Sequence, residues 1–210
     1  MPLLDPLSNV SASLRKHGLI PDVIPEDFIP STLFSVSWPQ AGVEAMLGNT
    51  LTKVETSSEP SVEITPLDST DEGTYTLAML DPDAPSHQDP KFGPFRHWII
   101  QGLRPPTTSE IIAAASKEKE LADSAIEPLS ASTTKPAITP YRPPGPGAGT
   151  GMHRYVFLLF KEPGSGYSIP GDAAEHGTEL EQRRKWDAMD FAKRYGLTLV
   201  GANYFLLFSD

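Results

Sequence analysis

The sequence predicts a mainly β protein, a β-rich α+β fold with a few short helices, and two observations carry that prediction. Proline and glycine number 22 and 16 among the 210 residues, above their usual share in globular chains. They separate short apolar runs, some of which alternate with polar residues as half-buried strands do. No sharp change in composition divides the chain, so we expect a single domain over residues 1–210.

The composition excludes several classes of function. Lysine and arginine number 17 against 27 aspartates and glutamates, a formal net charge of −10, so binding to nucleic acid, which requires clustered cations, is not expected. Because the chain has no cysteine, disulfides, thiolate metal sites and cysteine nucleophiles are excluded. No apolar run reaches the roughly 20 residues that span a bilayer, and no signal peptide is visible. The expected location is therefore cytoplasmic.

The first predicted element is an amphipathic helix over residues 8–17. Apolar side chains recur there at three- and four-residue spacing, Ser8 is the expected N-cap, and Gly18 follows as a stop. We expect residues 1–7 to form a loose leader before it, as chain ends commonly do.

Six strands are predicted after this helix. Phe34–Trp38 alternates apolar residues with serine, and Val62 with Ile64 is a weaker candidate. Four continuous apolar runs are too short for most helices and are predicted to be central strands. These runs are Thr74–Leu80, His97–Gln101, Arg154–Phe160 and Asn203–Phe208.

Two more helices are predicted in the second half of the chain. Ser109–Ser124 is rich in good helix formers, and Glu181–Tyr195 carries apolar residues three apart before Gly196. The first of these lies in residues 104–140, which are rich in Ser, Thr, Ala and Pro. We expect this stretch to be an insertion with one helix and then a mobile linker over residues 128–139.

Ionisable and turn-forming residues concentrate in two loops at strand ends. The first loop follows the strand 74–80 with Asp81 and Asp83, and the second is the glycine- and proline-rich stretch from Tyr141 to His153. Loops that a rigid scaffold positions often carry function. Aspartate before proline is also a common strand terminator. An Asp-x-Asp pair can hold a divalent cation too, although such a site needs more carboxylates than lie nearby.

His97 and His153 each adjoin an apolar strand, where a single histidine is often a satisfied core residue. Two histidines beside two aspartates favour a shared pocket of anion size, and the glycines of the second loop let backbone approach a ligand. Neither a phosphate-binding P-loop nor a nucleophile elbow is present. The residues themselves lead to this pocket and no further.

Three sequence blocks resemble the signature of the phosphatidylethanolamine-binding protein family. They are LDPDAPS at residues 80–86, HW at 97–98 and PPGPGAGTGMHRYVFLLF at 143–160, in the family's order. The resemblance covers residues 10–210, and KHGLIPDVIP near the start is similar to the fungal branch of carboxypeptidase Y inhibitors. It implies a large central antiparallel or mixed sheet, a smaller second sheet and peripheral helices.

The resemblance implies a non-enzymatic function without cofactor or metal. The pocket would bind a phosphate-like anion or a phospholipid head group, with at most peripheral membrane contact. The protein, a monomer, would inhibit a serine carboxypeptidase or regulate a signalling partner. The pocket positions that match are Asp81, Asp83, Ala84, Pro85, Phe92, Phe95, His97, Gly145, Pro146, His153 and Tyr155. Phe92-Gly93-Pro94-Phe95 stands where animal members have a Tyr-Arg-Glu-Trp-type run, so the tyrosine hydroxyl and the indole N–H are missing.

Two alternatives stay open. One is a hydrolase that uses His97 or His153 as general base and an aspartate to orient it, although no serine in either loop adjoins a histidine or forms an elbow. The other is an interaction scaffold with a vestigial pocket.

Three expectations follow. With His97 and His153 as the only local cations, and aspartates that raise their pKa values, anion binding should tighten as the pH falls. The resemblance places a cis peptide bond at Gly93–Pro94, which costs only about 0.5–1 kcal/mol before proline. It also implies that the leader, residues 1–7, contributes to carboxypeptidase inhibition.

Overall fold

Two antiparallel sheets form the centre of the computed structural model, which describes residues 6–66, 73–107, 109–110, 112–113, 130–133, 135–164 and 167–209. The strands are β1 (Thr32–Trp38), β2 (Val43–Glu44), β3 (Ser61–Pro66), β4 (Tyr75–Asp81), β5 (Phe95–Arg104), β6 (Ser132–Thr133), β7 (Gly151–Lys161) and β8 (Thr198–Ser209). The larger sheet has the order β6-β5-β4-β7-β8 and the smaller one β2-β1-β3. The mainly β prediction is confirmed, and every strand pair is antiparallel.

The large sheet is buried on both faces, which is why its strands read as continuous apolar runs. On one face, Leu77 and Met79 of β4 belong to a core shared with Val36 and Trp38 of the small sheet. On the other face, alternate β4 residues belong to a second core that includes helical side chains. All six predicted strands are present: β4 is shifted by one residue from the prediction, and the other five are longer than predicted.

The amino-terminal helix α1 (Pro6–Lys16) is present but begins two residues before Ser8, so Ser8 is not its N-cap. Gly18 ends it in the left-handed conformation, with φ of 67°. The hydroxyl of Tyr204 on β8 lies 2.6 Å from both Oγ of Ser13 and Nδ1 of His17. These contacts fix α1 to the large sheet. A short kinked helical turn, α2 (Leu19–Asp22), follows.

The predicted helix Glu181–Tyr195 is wrong over its first half. The structure has a 3-10 turn at Glu181–Arg183 and then the helix α3 (Ala188–Tyr195). Asp187 is extended, and its carboxylate accepts hydrogen bonds from the first turn of α3, which starts a new helix there. Gly196 ends α3 as predicted, with φ of 67°.

The predicted helix Ser109–Ser124 lies mostly outside the described residues, as do residues 1–5 of the leader. The predicted mobile linker is wrong in its last part. There β6 pairs with β5, and Ile138 is buried with its N–H donating to the carbonyl of Ile99 at 2.9 Å. Backbone pairing to the sheet edge therefore orders the end of this segment.

The peptide bond Gly93–Pro94 is cis, as expected, and so are Ala84–Pro85 and Ile20–Pro21. An added Cβ at Gly93 would overlap the carbonyl of Pro82, so only glycine lets the two loops meet here. Among the helices in the described part of the chain, none is long and apolar enough to cross a membrane.

Candidate functional site

A cavity of about 510 Å³ opens where β4 ends and β5 and β7 begin, at one end of the large sheet. Its volume lies in the range of small-molecule sites. Its lining residues are Asp81, Ala84, Pro85, Phe92, Phe95, His97, Arg142, Pro143, Gly145, Pro146, Gly147, Thr150, His153, Tyr155, Leu180 and Arg184. All of the predicted pocket residues except Asp83 are among them.

The floor of the cavity is an acid–base pair between two buried side chains, Asp81 and His153. Oδ2 of Asp81 lies 2.8 Å from Nδ1 of His153, and its Oδ1 accepts the backbone N–H of Asp83 at 2.8 Å. Nε2 of His153 lies 3.0 Å from Oγ1 of Thr150, which donates to the carbonyl of Gly147 at 2.8 Å. Both ring nitrogens of His153 therefore contact oxygen atoms of the protein.

The placement of Asp83 in the pocket is wrong. Its carboxylate accepts hydrogen bonds from Nη2, Nε and the backbone N–H of Arg154 at 2.8, 3.0 and 2.9 Å. Burial works to raise the pKa of Asp83, but the hydrogen bonds from Arg154 and His87 outweigh it and hold that pKa below its ordinary value. Arg154 follows His153 along β7, so its side chain lies on the opposite face of the sheet. Asp83 therefore lies behind the cavity.

His97 is neutral, contrary to the expectation that a carboxylate would raise its pKa. Its Nδ1 donates to the carbonyl of Arg142 at 2.7 Å. Burial lowers the pKa of His97 to about 4, against the opposing charge of Asp81 and with help from Arg183 and Arg142. The second ring nitrogen, Nε2, therefore carries a lone pair, and it has no partner among the described residues.

Tyr155 and the aromatic side chains complete the inner part of the cavity. The Tyr155 ring stacks on Phe205 with centroids 5.2 Å apart and meets His97 edge-on at 5.2 Å. Burial and the nearby charge of Asp81 raise the pKa of Tyr155. The hydroxyl therefore keeps its proton.

Two arginines that sequence reasoning missed line the cavity, so the expectation that histidines are the only local cations is wrong. The guanidinium of Arg184 lies 4.0 Å from the ring centroid of Phe92. Arg142 lies on the exposed side of the cavity. Arg142 stands inside the loop that the sequence singled out, so attention to its charge would have found it. Arg184 was hidden by the incorrect helix prediction.

The described residues do not assemble a metal centre. Among them, no group of three or more histidine and acidic side chains is placed to hold a cation. Asp81 and Asp83 turn to opposite faces of the sheet, so the Asp-x-Asp pair does not converge on one ion.

Comparisons with known proteins agree with this fold. A family model described as phosphatidylethanolamine-binding protein matches residues 41–205. The carboxypeptidase Y inhibitor of Saccharomyces cerevisiae is 32% identical, over 92% of each chain. The crystal structure of carboxypeptidase Y inhibitor complexed with its cognate proteinase matches with a TM-score of 0.70 at 27% identity, over 99% of this chain and 98% of that one. The phosphatidylethanolamine-binding protein of Plasmodium vivax shares the fold, with a TM-score of 0.69 at 21% identity over 95% and 97%.

Proposed function

The chain belongs to the phosphatidylethanolamine-binding protein family, and from that premise we propose a non-enzymatic binding function with two parts. The cavity holds a phosphate-like anion, free or in a phospholipid head group. The surface of the same protein inhibits a serine carboxypeptidase, a proposal supported by the likeness to the yeast carboxypeptidase Y inhibitor.

The observation that carries the first part is a concentration of guanidinium groups in a chain of net charge −10. Arg142 and Arg184 line the cavity. Arg96 and Arg183 are buried behind it, and both donate to backbone carbonyls. Burial lowers the pKa of Arg96 to about 10, so it still carries its charge at neutral pH. In the lining itself the two arginines outnumber the single carboxylate, Asp81, and this excess of positive charge favours an anionic ligand.

Calorimetry with two matched ligands tests the anion part. Dihexanoyl phosphatidylglycerol carries a phosphodiester, and dihexanoylglycerol carries the same acyl chains without it. We expect heat of binding with the first and none with the second, because the arginines recognise the phosphate. Equal binding of both would leave an apolar pocket and refute the anion function.

The inhibitory part is supported by the likeness to the yeast inhibitor along nearly the whole chain. Because α1 begins at Pro6, removal of residues 1–5 shortens the leader and spares the helix. Inhibition constants against a serine carboxypeptidase should be measured for the full chain and for this truncation. No inhibition by either protein refutes this part, and equal inhibition by both removes the role of the leader.

A hydrolase is the second candidate, because Asp81, His153 and Thr150 form a hydrogen-bonded chain that lines the cavity. Such a chain could activate the threonine hydroxyl. The contact of the same hydroxyl with the carbonyl of Gly147 at 2.8 Å opposes this, because a proton donated to that carbonyl is not directed at His153. Incubation with ester and phosphoester substrates decides the matter: turnover that His153→Ala abolishes would favour the hydrolase.

A further inference from the structure

One wall of the cavity comes from a segment that is distant in sequence, residues 178–186, here called the strap. It contains Leu180 and Arg184, both of which line the cavity. After the 3-10 turn, Arg184 is extended with ψ of 151° and Lys185 is left-handed with φ of 53°. After that single 3-10 turn the strap is neither helix nor strand, so contacts with other segments must hold its shape.

The strap is fastened at both ends to the segments that form the cavity. The buried guanidinium of Arg183 donates to the carbonyls of His97 at 3.0 Å and Pro140 at 3.1 Å, and also to Thr178 within the strap. At the other end, the N–H of Lys185 donates to the carbonyl of Phe92 at 3.1 Å. These bonds fix the backbone on either side of Arg184.

The side chain of Arg184 lies over an aromatic ring. Its guanidinium carbon is 4.0 Å from the centroid of Phe92, a cation–π contact that uses the face of the guanidinium and not its N–H groups. Glu181, which is mostly exposed, lies 3.6 Å away and is a weak competitor. Arg142, by contrast, has an exposed side chain with no hydrogen-bond partner among the described residues.

The floor offers an anion little in comparison. Both ring nitrogens of His153 already lie within hydrogen-bonding distance of protein oxygens, on Asp81 and Thr150. Neutral His97 presents a lone pair, which repels an oxyanion. Donors that the protein holds in place are therefore found on the strap, not on the floor.

We infer that Arg184, stacked on Phe92 and positioned by the strap, is the residue that determines the cavity's specificity for oxyanions. This rests on the proposed anion-binding function and deepens it. An arginine keeps its charge throughout the physiological range. The affinity for an anion of constant charge should therefore not follow the protonation of the histidines.

The test compares Arg184→Gln with Arg142→Gln and, as a distant control, Arg15→Gln. The probes are inorganic sulfate and monomeric dihexanoyl phosphatidylglycerol, whose charges stay constant between about pH 5.5 and 8. Arg184→Gln should weaken binding roughly tenfold or more, because it removes charge-assisted hydrogen bonds. Arg142→Gln should have a smaller effect, and Arg15→Gln none. Binding of phosphatidylglycerol but not sulfate would identify a lipid head group as the ligand source, with the same dependence on Arg184.

Two further variants separate positioning from charge. Phe92→Leu keeps the arginine and removes the stacking surface, so sulfate affinity should fall severalfold, and Phe92→Trp should restore it. If Arg184→Gln binds the probes with wild-type affinity, the inference is overturned but the proposed anion function is not. A wild-type protein that binds neither probe would overturn the proposed anion function as well. Binding that tightens tenfold on acidification, equally in Arg184→Gln, would assign the anion to the histidines instead.

Discussion

Two neighbouring acid–base pairs join the end of β4 to the start of β7, on opposite faces of the sheet. Asp81 meets His153 on the cavity side, and Asp83 meets Arg154 on the side of the amino-terminal segment. Both pairs are buried. They differ in the basic partner, which is an imidazole in the first pair and, in the second, a guanidinium that keeps its charge even when it is buried.

The two pairs have different roles. The pair of Asp81 and His153 lies at the functional end of the molecule, and the pair of Asp83 and Arg154 helps to hold the amino-terminal segment in place. Arg154 also donates to the carbonyl of His17 at 2.8 Å and to Asp22 at 3.0 Å, so it attaches the amino-terminal segment to the sheet. The pair of Asp81 and His153 instead forms one floor of an open cavity. Substitutions in the two pairs test whether their roles differ in this way.

The largest effect is expected from Arg154→Met. It leaves the buried carboxylate of Asp83 without its main partner and frees the amino-terminal segment. Loss of one member of a buried ion pair costs about 3–5 kcal/mol, and we expect a decrease of that size in the free energy of unfolding measured in urea. Arg154→Met combined with Asp83→Asn should recover part of the loss, because no charge is then left unpaired. A loss below about 1 kcal/mol in the single variant would refute the structural role.

Acid is expected to affect the cavity face first. The pKa of His97 is lowered to about 4 by burial, so between about pH 6.5 and 4 the unfolded chain binds this proton and the folded chain does not. Stability should therefore decrease as the pH falls through this window, by up to about 3 kcal/mol. The pKa of Asp83 lies below its ordinary 3.8, so its contribution is lost only at lower pH.

The control for this prediction is His97→Asn, whose amide N–H can still donate to the carbonyl of Arg142. Unfolding measured in urea at several pH values should show a flatter dependence between about pH 6.5 and 4 for this variant. The same slope in both proteins would contradict the assignment.

A smaller effect is expected from Asp81→Asn. The amide oxygen of the variant can still accept a hydrogen bond from Nδ1 of His153, so the contact between the two side chains is kept. We expect a decrease of about 1–2 kcal/mol in the free energy of unfolding, well below that for Arg154→Met. Calorimetric melting of both variants at pH 7 checks this order, and a larger loss of stability for Asp81→Asn than for Arg154→Met would contradict the account.

The smallest effect is expected from Asp22→Asn. Asp22 is the second carboxylate on Arg154, but its side chain is 53% exposed against 2% for Asp83. Exposed pairs contribute less than about 1 kcal/mol. Urea unfolding should show this small loss of stability for Asp22→Asn. A loss comparable to that of Arg154→Met would mean that the attachment of the amino-terminal segment depends on Asp22.

The sequence predicted the strands well because a buried strand leaves a local signal, a short apolar run between turn-forming residues. The local sequence carries no such signal for the face of the sheet on which Asp83 lies. Its position depends on Arg154, a partner 71 residues away, and on the alternation of side chains along β7. Both aspartates looked equivalent in the sequence, and only the pairing of the strands separates them.

The wall of the cavity was missed for a related reason. Residues 181–195 have a helical pattern of apolar side chains, but Lys185 and Trp186 donate their N–H groups to the carbonyls of Phe92 and Pro94. Bonds to a distant loop interrupt the helix and bring Arg184 to the cavity. Helix propensity is a property of the local sequence and does not include hydrogen bonds to a distant loop.

The most direct test of the account is the response of the five histidines to ligand. His97 and His153 line the cavity, whereas His17 contacts Tyr204 and His87 contacts Asp83 behind the floor. NMR spectra of the imidazole rings should be recorded while dihexanoyl phosphatidylglycerol is added to saturation. The account predicts shifts for His97 and His153 and unchanged signals for His17 and His87. Shifts confined to His17 and His87, or no shifts when calorimetry shows binding, would place the ligand elsewhere and contradict it.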